Sequence, residues 1–467
     1  NRKHSFPTRR SSDLSRGTDI ILAIKEDAQE FLDTGRLEDI VKTYSGHIPV
    51  PVAIREAGAE EDAAVSEGTA LWTRPKAEIS EEEYTEFYRH VGHGFDEPAW
   101  KLHYKAEGMI EYTVLLFIPS TRPMDLFDPA RKPRVKLYVR RVYITDETAE
   151  LLPGWLRFLR GVIDSEDLPL NISREMLQNN PVVRRIRKAV TNKVLSELEK
   201  VADKDKETFE TIWGQFGPVL KEGLYEDTDR QDQLLKLARF RTTAEDGWVS
   251  LDTYVSRMKE KQSAIYYVTG EDAQAVARQP QLEGFKARDV EVLLLSDPVD
   301  DFWLQTVTDY DGKPFKSITR GASDLKDLGG DDSKDDDTVA DGDLEKVIAA
   351  VKAALGDQIT DVRGSDRLTE TPACLVADES GMDMHLERML RAHQQVSQSM
   401  PKVLEINPGH PLIKSMVKKA DAAPSDESLA DAAWLLFDQA RVLEGETPND
   451  PAAFSRRLSR FIASGLA

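Results

Sequence analysis

Residues 137–190, LYVRRVYITDETAELLPGWLRFLRGVIDSEDLPLNISREMLQNNPVVRRIRKAV, change from a strand pattern to a helix pattern. The β-branched and aromatic residues at 136–144, like those at 111–118, predict strands. After LPLNISRE the apolar residues recur at helical spacing. They predict one long helix with an apolar face made of Val183, Ile186, Val190, Val194, Leu198 and Val201. This combination predicts an α+β unit.

Two further elements are predicted upstream of this stretch. Residues 18–24, TDIILAI, predict a strand. The segment EISEEEYTEFYRHV predicts a helix start, because Ser80 and Glu83 can form a capping box and Ile79 can pack against Tyr84.

Residues 264–307 have a different pattern. The short apolar runs AIYYV and VEVLLL flank the helical sequence EDAQAVARQ. Runs of this kind are typical of buried parallel strands joined by a crossover helix. They predict a small βαβ subdomain.

An acidic run follows at residues 324–343, with nine Asp against two Lys. It lacks the spaced oxygen ligands and closing glutamate of a calcium loop, so we interpret it as a solvated linker. His90, His93 and His103 have no cysteine or ordered acidic partner, and we interpret them as packed or exposed side chains. No metal site is expected.

Three helices are predicted beyond the acidic run. The first is LEKVIAAVKAAL at residues 344–355. The second ends near Gly445, and the third has Asp450 as N-cap and Pro451 at its first position. We expect the last two to dimerise with a second copy through Trp434, Leu436, Phe437, Ala440, Leu443, Phe454, Leu458, Phe461 and Ile462. The alternative is that this pair covers the core of its own domain.

The composition is that of an ordinary globular protein, with 467 residues of which 40% are hydrophobic and 31% charged. The net charge of -21 argues against nucleic acid as a partner, because phosphate binding needs a concentrated basic face. The single cysteine, Cys374, favours a reducing compartment and is interpreted as a core residue. The sequence has no spanning apolar run and no signal peptide, so we expect a cytoplasmic protein without a membrane partner.

One charge in the first quoted stretch is unfavourably placed. Arg174 falls in the first turn of the predicted helix, where the helix dipole disfavours a cation by about 0.3 to 1 kcal/mol. An arginine beside free helix amides suits phosphate oxygens, and a surface salt bridge is the alternative. The chain has no glycine-rich phosphate loop, so the anion is expected to come from outside it.

Several stretches together closely resemble one known family. Residues 137–190, ALWTR at 70–74, EGMIEYTVLLFIPS at 107–120 and VEVLLLSDPVDDFWLQTV at 290–307 resemble the middle domain of the ninety-kilodalton heat-shock chaperone family in its bacterial form. DVRGSDRLTETPACLV and EINPGHPLIK resemble its C-terminal domain. The resemblance is colinear over about residues 16–467.

The resemblance implies an α+β multidomain fold in a V-shaped homodimer. Its middle domain combines a large α+β subdomain with a small βαβ subdomain, and its C-terminal domain ends in the dimerising helical pair. Residues 1–14 are similar to translated sequencing-adapter sequence and are treated as an artefact. The implied layout is 15–48 as the end of an N-terminal ATPase domain, 49–67 as linker, 68–210 and 211–320 as the two middle subdomains, 321–343 as the acidic linker, and 344–467 as the C-terminal domain.

The same resemblance assigns a role to Arg174. It implies that Arg174, with Asn171 and Gln178, contacts the γ-phosphate of ATP held on the N-terminal domain. ATP and Mg²⁺ are therefore the cofactors expected for the intact protein. The pocket that holds them is not expected within this chain, so whether the chain alone is an enzyme stays open.

Two apolar surfaces are expected to bind clients. STRPMDLFDPARKPR at 120–134 resembles the amphipathic client loop of the family, and GMDMHLERMLRAHQQV carries methionines, which adapt to varied apolar surfaces. The client residues implied are Met124, Leu126, Phe127, Met382, Leu386, Met389 and Leu390, with Phe95 and Trp100 in GFDEPAW as weaker candidates.

The function expected is therefore an ATP-dependent chaperone that binds unfolded or partly folded clients as a dimeric clamp. Co-chaperones are further possible partners. The alternative is a nucleotide-independent scaffold that binds proteins through the same surfaces.

Overall fold

The structure is a computed structural model that describes residues 18, 20–56, 63–66, 68–92, 96–128, 134–146, 150–169, 177, 180–321, 325–328, 339–393, 400–423 and 426–466. The chain divides into two compact units, residues 1–194 and 195–467. Each unit is described by itself. Their mixed sheets and helices confirm the expected α+β multidomain class.

The first unit opens with helix α1, Thr34–Tyr44, whose N-cap Asp33 accepts a hydrogen bond from the Arg36 amide at 2.8 Å. The strand predicted at 18–24 is wrong, because its described residues have no regular secondary structure and are largely exposed. Strands β1 (Val52–Ile54) and β2 (Ala63–Ser66) form an antiparallel pair within the range interpreted as linker.

Helix α2, Glu81–Gly92, starts with the predicted capping box. The Ser80 amide donates to Glu83 Oε2 at 2.8 Å, and the Glu83 amide donates to Ser80 Oγ at 3.2 Å. The first of these bonds holds the pKa of Glu83 below its ordinary value. Ile79 and Tyr84 are both buried in one hydrophobic cluster, and the helix start is the one predicted from the sequence.

A five-stranded sheet in the order β3-β4-β7-β5-β6 forms the centre of the first unit. Its strands are β3 (Pro98–Ala106), β4 (Tyr112–Pro119), β5 (Arg134–Val139), β6 (Val142–Thr145) and β7 (Arg160–Ser165). β7 is fully buried between β4 and β5. Gly161 in β7 has φ of +130°, and a Cβ there would lie 2.1 Å from the Leu115 carbonyl oxygen. Any side chain at this position would break the pairing with β4.

The strand predicted at 136–144 is instead a hairpin of β5 and β6. Arg140 and Arg141 form its turn with φ of 50° and 67°. Such two-residue turns usually carry Asn or Gly, and their absence hid the turn in the sequence. The Arg141 amide donates to buried Asp164 Oδ1 at 3.1 Å, which compensates for the unfavourable backbone.

Helix α3, Pro181–Lys204, is the long helix predicted from the sequence. Its face is buried at Val183, Ile186, Val190, Val194 and Leu198, and Val201 is half-buried.

The second unit continues with an α/β part. Its helices are α4 (Lys206–Glu226), α5 (Gln231–Leu237), α6 (Leu251–Arg257), α7 (Ala273–Val276), α8 (Glu283–Ala287) and α9 (Asp300–Trp303). Its strands are β8 (Arg239–Thr242), β9 (Val249–Ser250), β10 (Ile265–Thr269), β11 (Leu293–Leu295), β12 (Asp309–Tyr310) and β13 (Lys313–Ser317). The six strands have the order β12-β13-β10-β11-β8-β9. β10 and β11 are parallel with α7 and α8 between them in sequence, which confirms the βαβ prediction.

The last part of this unit packs helices on a three-stranded sheet in the order β14-β16-β15. The strands are β14 (Ile359–Gly364), β15 (Ala373–Val376) and β16 (Lys402–Ile406). The helices are α10 (Asp341–Leu355), α11 (Met384–Ala392), α12 (Pro411–Ala422), α13 (Glu427–Leu443) and α14 (Pro451–Leu466). All three helices predicted here are present, and Asp450 Oδ1 accepts from the Ala453 amide at 2.9 Å as the expected N-cap. Residues 329–338 of the acidic run lie outside the described part.

Candidate functional site

Residues 170–179, called here the arginine segment, follow a described strand end and precede a described helix, and Leu177, the one described residue among them, is helical and buried. The three expected phosphate contacts of the segment, Asn171, Arg174 and Gln178, lie outside the described residues. Before the arginine segment, buried Ser165 accepts hydrogen bonds through Oγ from the amides of Asp167 and Leu168, both at 3.3 Å. The chain is therefore held by hydrogen bonds at Asp167 and Leu168, shortly before the arginine segment.

After the arginine segment, helix α3 begins at Pro181. Asn180 Oδ1 accepts from the Val182 amide at 2.8 Å and acts as the cap. An Asn followed by Pro at the first helical position is a strong start signal that our sequence interpretation missed. The cap at Asn180 thus marks the start of α3 after the arginine segment.

The expected client loop is fixed at its start by Asp96. Its Oδ2 accepts from the Ser120 amide and hydroxyl, both at 3.2 Å, and from the Thr121 amide at 3.3 Å. Its Oδ1 accepts from the Tyr88 hydroxyl at 2.8 Å. One carboxylate thus ties the loop to helix α2.

Within this loop the three expected client residues differ in environment. Leu126 is 0% exposed, and its carbonyl oxygen accepts from Arg157 Nε at 2.8 Å. Met124 is fully exposed, and Phe127 is half-exposed beneath the Arg122 guanidinium, 5.4 Å from the ring centre. Leu126 therefore anchors the loop, and Met124 and Phe127 are the side chains offered to solvent.

Of the two weaker client candidates, Trp100 lies in β3. Trp100 is half-buried and pairs in register with Ile118 of β4. Phe95 lies outside the described residues.

Helix α11 carries the second expected client surface. It begins at Met384, so Met382 precedes it in the chain. Leu386 is buried, and Met382, Met389 and Leu390 are half-buried. The partly exposed apolar surface therefore consists of two methionines and one leucine, with Leu386 facing inward.

The N-terminus of α11 is attached to the six-stranded sheet through Asp383. This buried carboxylate caps the helix through Oδ1, which accepts from the His385 amide at 3.1 Å. Oδ1 also accepts from the Thr269 hydroxyl at 3.0 Å, and Oδ2 accepts from Ser317 at 2.6 Å and Thr319 at 3.1 Å. Four donors on one buried carboxylate fix the position of α11 relative to β10 and β13.

A second polar contact brings α11 to an aromatic pair that the sequence interpretation did not identify. His385 Nδ1 lies 2.7 Å from Oδ2 of buried Asp301. The next residue, Phe302, is 45% exposed, and its ring lies 6.3 Å from that of Tyr225. Phe302 lies between buried Asp301 and Trp303, and its exposure is visible only in the structure.

The loop before β15 is joined to helix α8 at a close backbone approach. The Gly284 amide donates to the Arg367 carbonyl oxygen at 2.6 Å, and a Cβ at Gly284 would lie 2.7 Å from Arg367 Cα. Arg367 is itself buried, donates to the Gly321 carbonyl oxygen at 2.7 Å and pairs with Glu405 at 2.9 Å. The α/β part and the C-terminal sheet therefore share one buried polar interface.

The expected dimer residues fall into three groups. Those buried in the unit's own core are Leu436, Phe437 and Ala440. Those half-buried are Trp434, Phe454 and Phe461. Those exposed are Leu443, Leu458 and Ile462. The helical pair thus covers its own core with one set of residues and exposes another.

Helix α14 is held on α13 by charges. Asp431 pairs with Arg457 at 3.2 Å and with Arg460 at 2.5 Å, and the Arg457 guanidinium lies 5.0 Å from the Trp434 ring centre. Leu458 and Ile462 are four residues apart and therefore share one face of the helix.

The remaining expectations concern the histidines and membrane spans. His103 is buried, with Nδ1 2.7 Å from the Tyr84 hydroxyl and Nε2 2.9 Å from the Trp72 carbonyl oxygen. Among the described helices, none has both the length and the hydropathy of a membrane span.

Comparison with known proteins decides the family. The sequence model described as Hsp90 protein matches residues 56–467. The chain belongs to the Hsp90 family. Chaperone protein HtpG of Paramagnetospirillum magneticum is 52% identical over 468 residues, covering 99% of this chain and 75% of the relative. Chaperone protein HtpG of Azorhizobium caulinodans is 53% identical over 459 residues, covering 97% and 72%, and that of Mesorhizobium japonicum is 51% identical over 455 residues, covering 97% and 72%.

These matches confirm the resemblance inferred from the sequence motifs and identify a molecular chaperone of the Hsp90 family. The roles of the individual client, phosphate and dimer residues stay predictions.

Proposed function

We propose that this Hsp90-family chain binds unfolded or partly folded proteins through the client loop and helix α11. The observation that carries the proposal is common to both surfaces. On each surface an exposed or half-buried methionine is close in sequence to a fixed residue. Met124 is two residues from buried Leu126, and Met389 lies in the helix that Asp383 caps. Flexible methionines on a rigid support suit binding of varied apolar segments.

Client binding is tested with a reduced, unfolded polypeptide carrying a fluorescent label. Replacing Met124 or Met389 with Ser should weaken binding by about threefold to tenfold each, as expected for the loss of one apolar contact. Met109 is also exposed but lies outside both surfaces, so Met109→Ser serves as the matched control. Equal weakening by all three substitutions would contradict the assignment.

We further propose that the intact protein is ATP-dependent. Asn171, Arg174 and Gln178 would contact the γ-phosphate of Mg²⁺-ATP held on an N-terminal domain. Support comes from the family match, which includes this segment, and from the hydrogen bonds that fix the chain on either side of it at Ser165 and Asn180. A cation supplied in this way stabilises transferred-phosphate charge.

The nucleotide step is tested in a chimera that joins this chain to the N-terminal domain of a relative. Arg174→Ala should lower ATP turnover at least about tenfold, whereas Arg184→Ala, on the exposed side of α3, should not. Unchanged turnover would remove Arg174 from the mechanism. Full client binding without any response to ATP would favour the nucleotide-independent scaffold.

We also propose that the chain forms a homodimer through the exposed residues Leu443, Leu458 and Ile462. One chain has a mass of 52.5 kDa, so sedimentation should give about twice this value. The substitution Ile462→Glu, at an exposed position of α14, should halve it. A monomer before any substitution would refute the proposal.

A further inference from the structure

A cavity of about 260 Å³ is lined by residues of helix α11, of the start of β16 and of the end of α13. Three buried apolar side chains, Leu375, Met384 and Phe437, form part of its wall. Met400 also lines it and is 50% exposed. The volume lies at the lower end of ligand pockets, so the cavity suits a single side chain with apolar neighbours.

Met400 is held beside α11 by a hydrogen bond. Its amide donates to Glu387 Oε1 at 2.9 Å, and Glu387 is buried and pairs through its other oxygen with Lys402. Met400 therefore adjoins the α11 surface that carries Met389, although it follows the helix in the chain.

Two arginines of α11 that line the cavity are poorly matched by hydrogen bonds. Arg391 makes no hydrogen bond with the described residues, and its charge partner Glu446 lies 3.8 Å away and already accepts from Arg441 at 3.0 Å. Arg388 donates one bond, at 3.4 Å, to Glu444. The Arg391 side chain is 38% exposed, so its donors are accessible to a ligand. A guanidinium has several N–H donors in a planar fork, and most of those on these two side chains are open.

The buried acidic side chains of the lining are already engaged. Both oxygens of Glu387 are occupied, and Glu444 Oε1 accepts from Gln281 at 2.6 Å. Burial raises the pKa of Glu444 to about 7, so near neutral pH this carboxyl is partly protonated and compensates the charge of Arg388 incompletely. Asp357 is exposed, and solvent weakens its effect. The open hydrogen-bonding capacity is therefore on the donor side, which favours a carboxylate ligand.

We propose that this cavity selects client segments in which an acidic residue lies between apolar residues. The carboxylate accepts from Arg391 and Arg388, and the apolar neighbours contact Met400 and Met389. A doubly charged phosphate fits less well, because Glu446 lies beside the same arginines and repels a second negative charge. This inference rests on the proposed function of α11 as a client surface and adds the kind of segment that it prefers.

The test uses the full chain and two labelled hexapeptides, SLFELS and SLFQLS. Both carry a fluorescent label at the N-terminus and an amide at the C-terminus, so they differ only in the one carboxylate. Affinity is measured by fluorescence anisotropy. The acidic peptide should bind at least about fivefold more tightly, as expected for hydrogen bonds to a charged group at a partly exposed position.

Three variants locate the preference. Arg391→Gln should reduce it to less than about twofold, and the variant should fold because Arg391 is exposed and makes no hydrogen bond. Arg278→Gln makes the same change at an exposed position beyond α7 and should retain the preference. Met400→Ser should weaken both peptides by about threefold and leave their ratio unchanged, because it removes an apolar contact and no charge.

The possible failures can be told apart. Equal affinities of the two peptides for the unaltered chain would overturn the selectivity and leave client binding in place. A preference that persists in Arg391→Gln would locate the carboxylate elsewhere and overturn the site. If neither peptide binds, the inference is overturned, and the unfolded-polypeptide assay described above shows whether the proposed function fails with it.

Discussion

Asp383→Asn tests whether the carboxylate beneath α11 fixes this helix on the sheet. The substitution keeps the shape of the side chain and replaces one acceptor oxygen with an NH₂ group. Oδ2 accepts from Ser317 at 2.6 Å and Thr319 at 3.1 Å, so two charge-assisted hydrogen bonds are lost or inverted. Each is worth about 1.5 to 3 kcal/mol, and rotation of the hydroxyls recovers part of this. We expect a loss of about 2 to 4 kcal/mol in the free energy of unfolding.

The effect should be measurable in two ways. Calorimetry should show a melting temperature lower by about 5 to 15 °C, from roughly 2 to 4 °C per kcal/mol for a unit of this size. Hydrogen exchange should accelerate most in α11. Asp378→Asn is the matched control, since exposed Asp378 accepts from the amide and hydroxyl of Ser380, a near neighbour in the chain. A loss below about 0.5 kcal/mol, or uniform acceleration across the unit, would refute the reasoning.

Three further predictions concern stability. Burial raises the pKa of Glu444 in the folded state to about 7, well above its value of 4.5 in the unfolded chain. Between pH 4.5 and 7 the folded state therefore binds one more proton than the unfolded state. The free energy of unfolding should therefore fall by up to about 3 kcal/mol as pH rises from 4.5 through 7, and Glu444→Gln should flatten this dependence in denaturant titrations. Leu126→Ala should cost about 2 to 5 kcal/mol, whereas Met124→Ala should change the free energy of unfolding by less than about 0.5 kcal/mol, as measured by urea unfolding. Lys221 is buried, 2.7 Å from Asp297 and paired with buried Asp300, so Lys221→Ala should cost about 3 to 5 kcal/mol in the same assay.

The elements predicted correctly from the sequence are those set by neighbours in the chain. The capping box of Ser80 and Glu83 and the N-cap Asp450 involve residues three apart, so their pattern is visible in the sequence itself. The strand predicted at 18–24 failed because a strand needs a partner strand, and no strand in the described part pairs with it. The hairpin turn at Arg140 and Arg141 was missed because it depends on Asp164, which is distant in sequence.

The supports of the candidate client surfaces could not be predicted for the same reason. Asp383 accepts hydrogen bonds from hydroxyl groups of residues 64 to 114 positions away, and the sequence MDMHLERML contains no pattern that predicts these partners. The family resemblance pointed to Met124, Leu126 and Phe127 together, and burial alone separates the anchoring Leu126 from its exposed neighbours.

The shared polar interface beneath α11 also limits how the chain can be divided. A fragment starting at residue 344 would leave Asp383 without its three hydroxyl donors and Arg367 without the Gly321 carbonyl oxygen. The charged side chains of Asp383 and Arg367 would then lie on an exposed surface, although both are buried in the intact chain. Replacing α11 with the corresponding helix of a homologue would therefore require strands β10 and β13 to be replaced as well. The part that can be exchanged between homologues is thus larger than the C-terminal region alone.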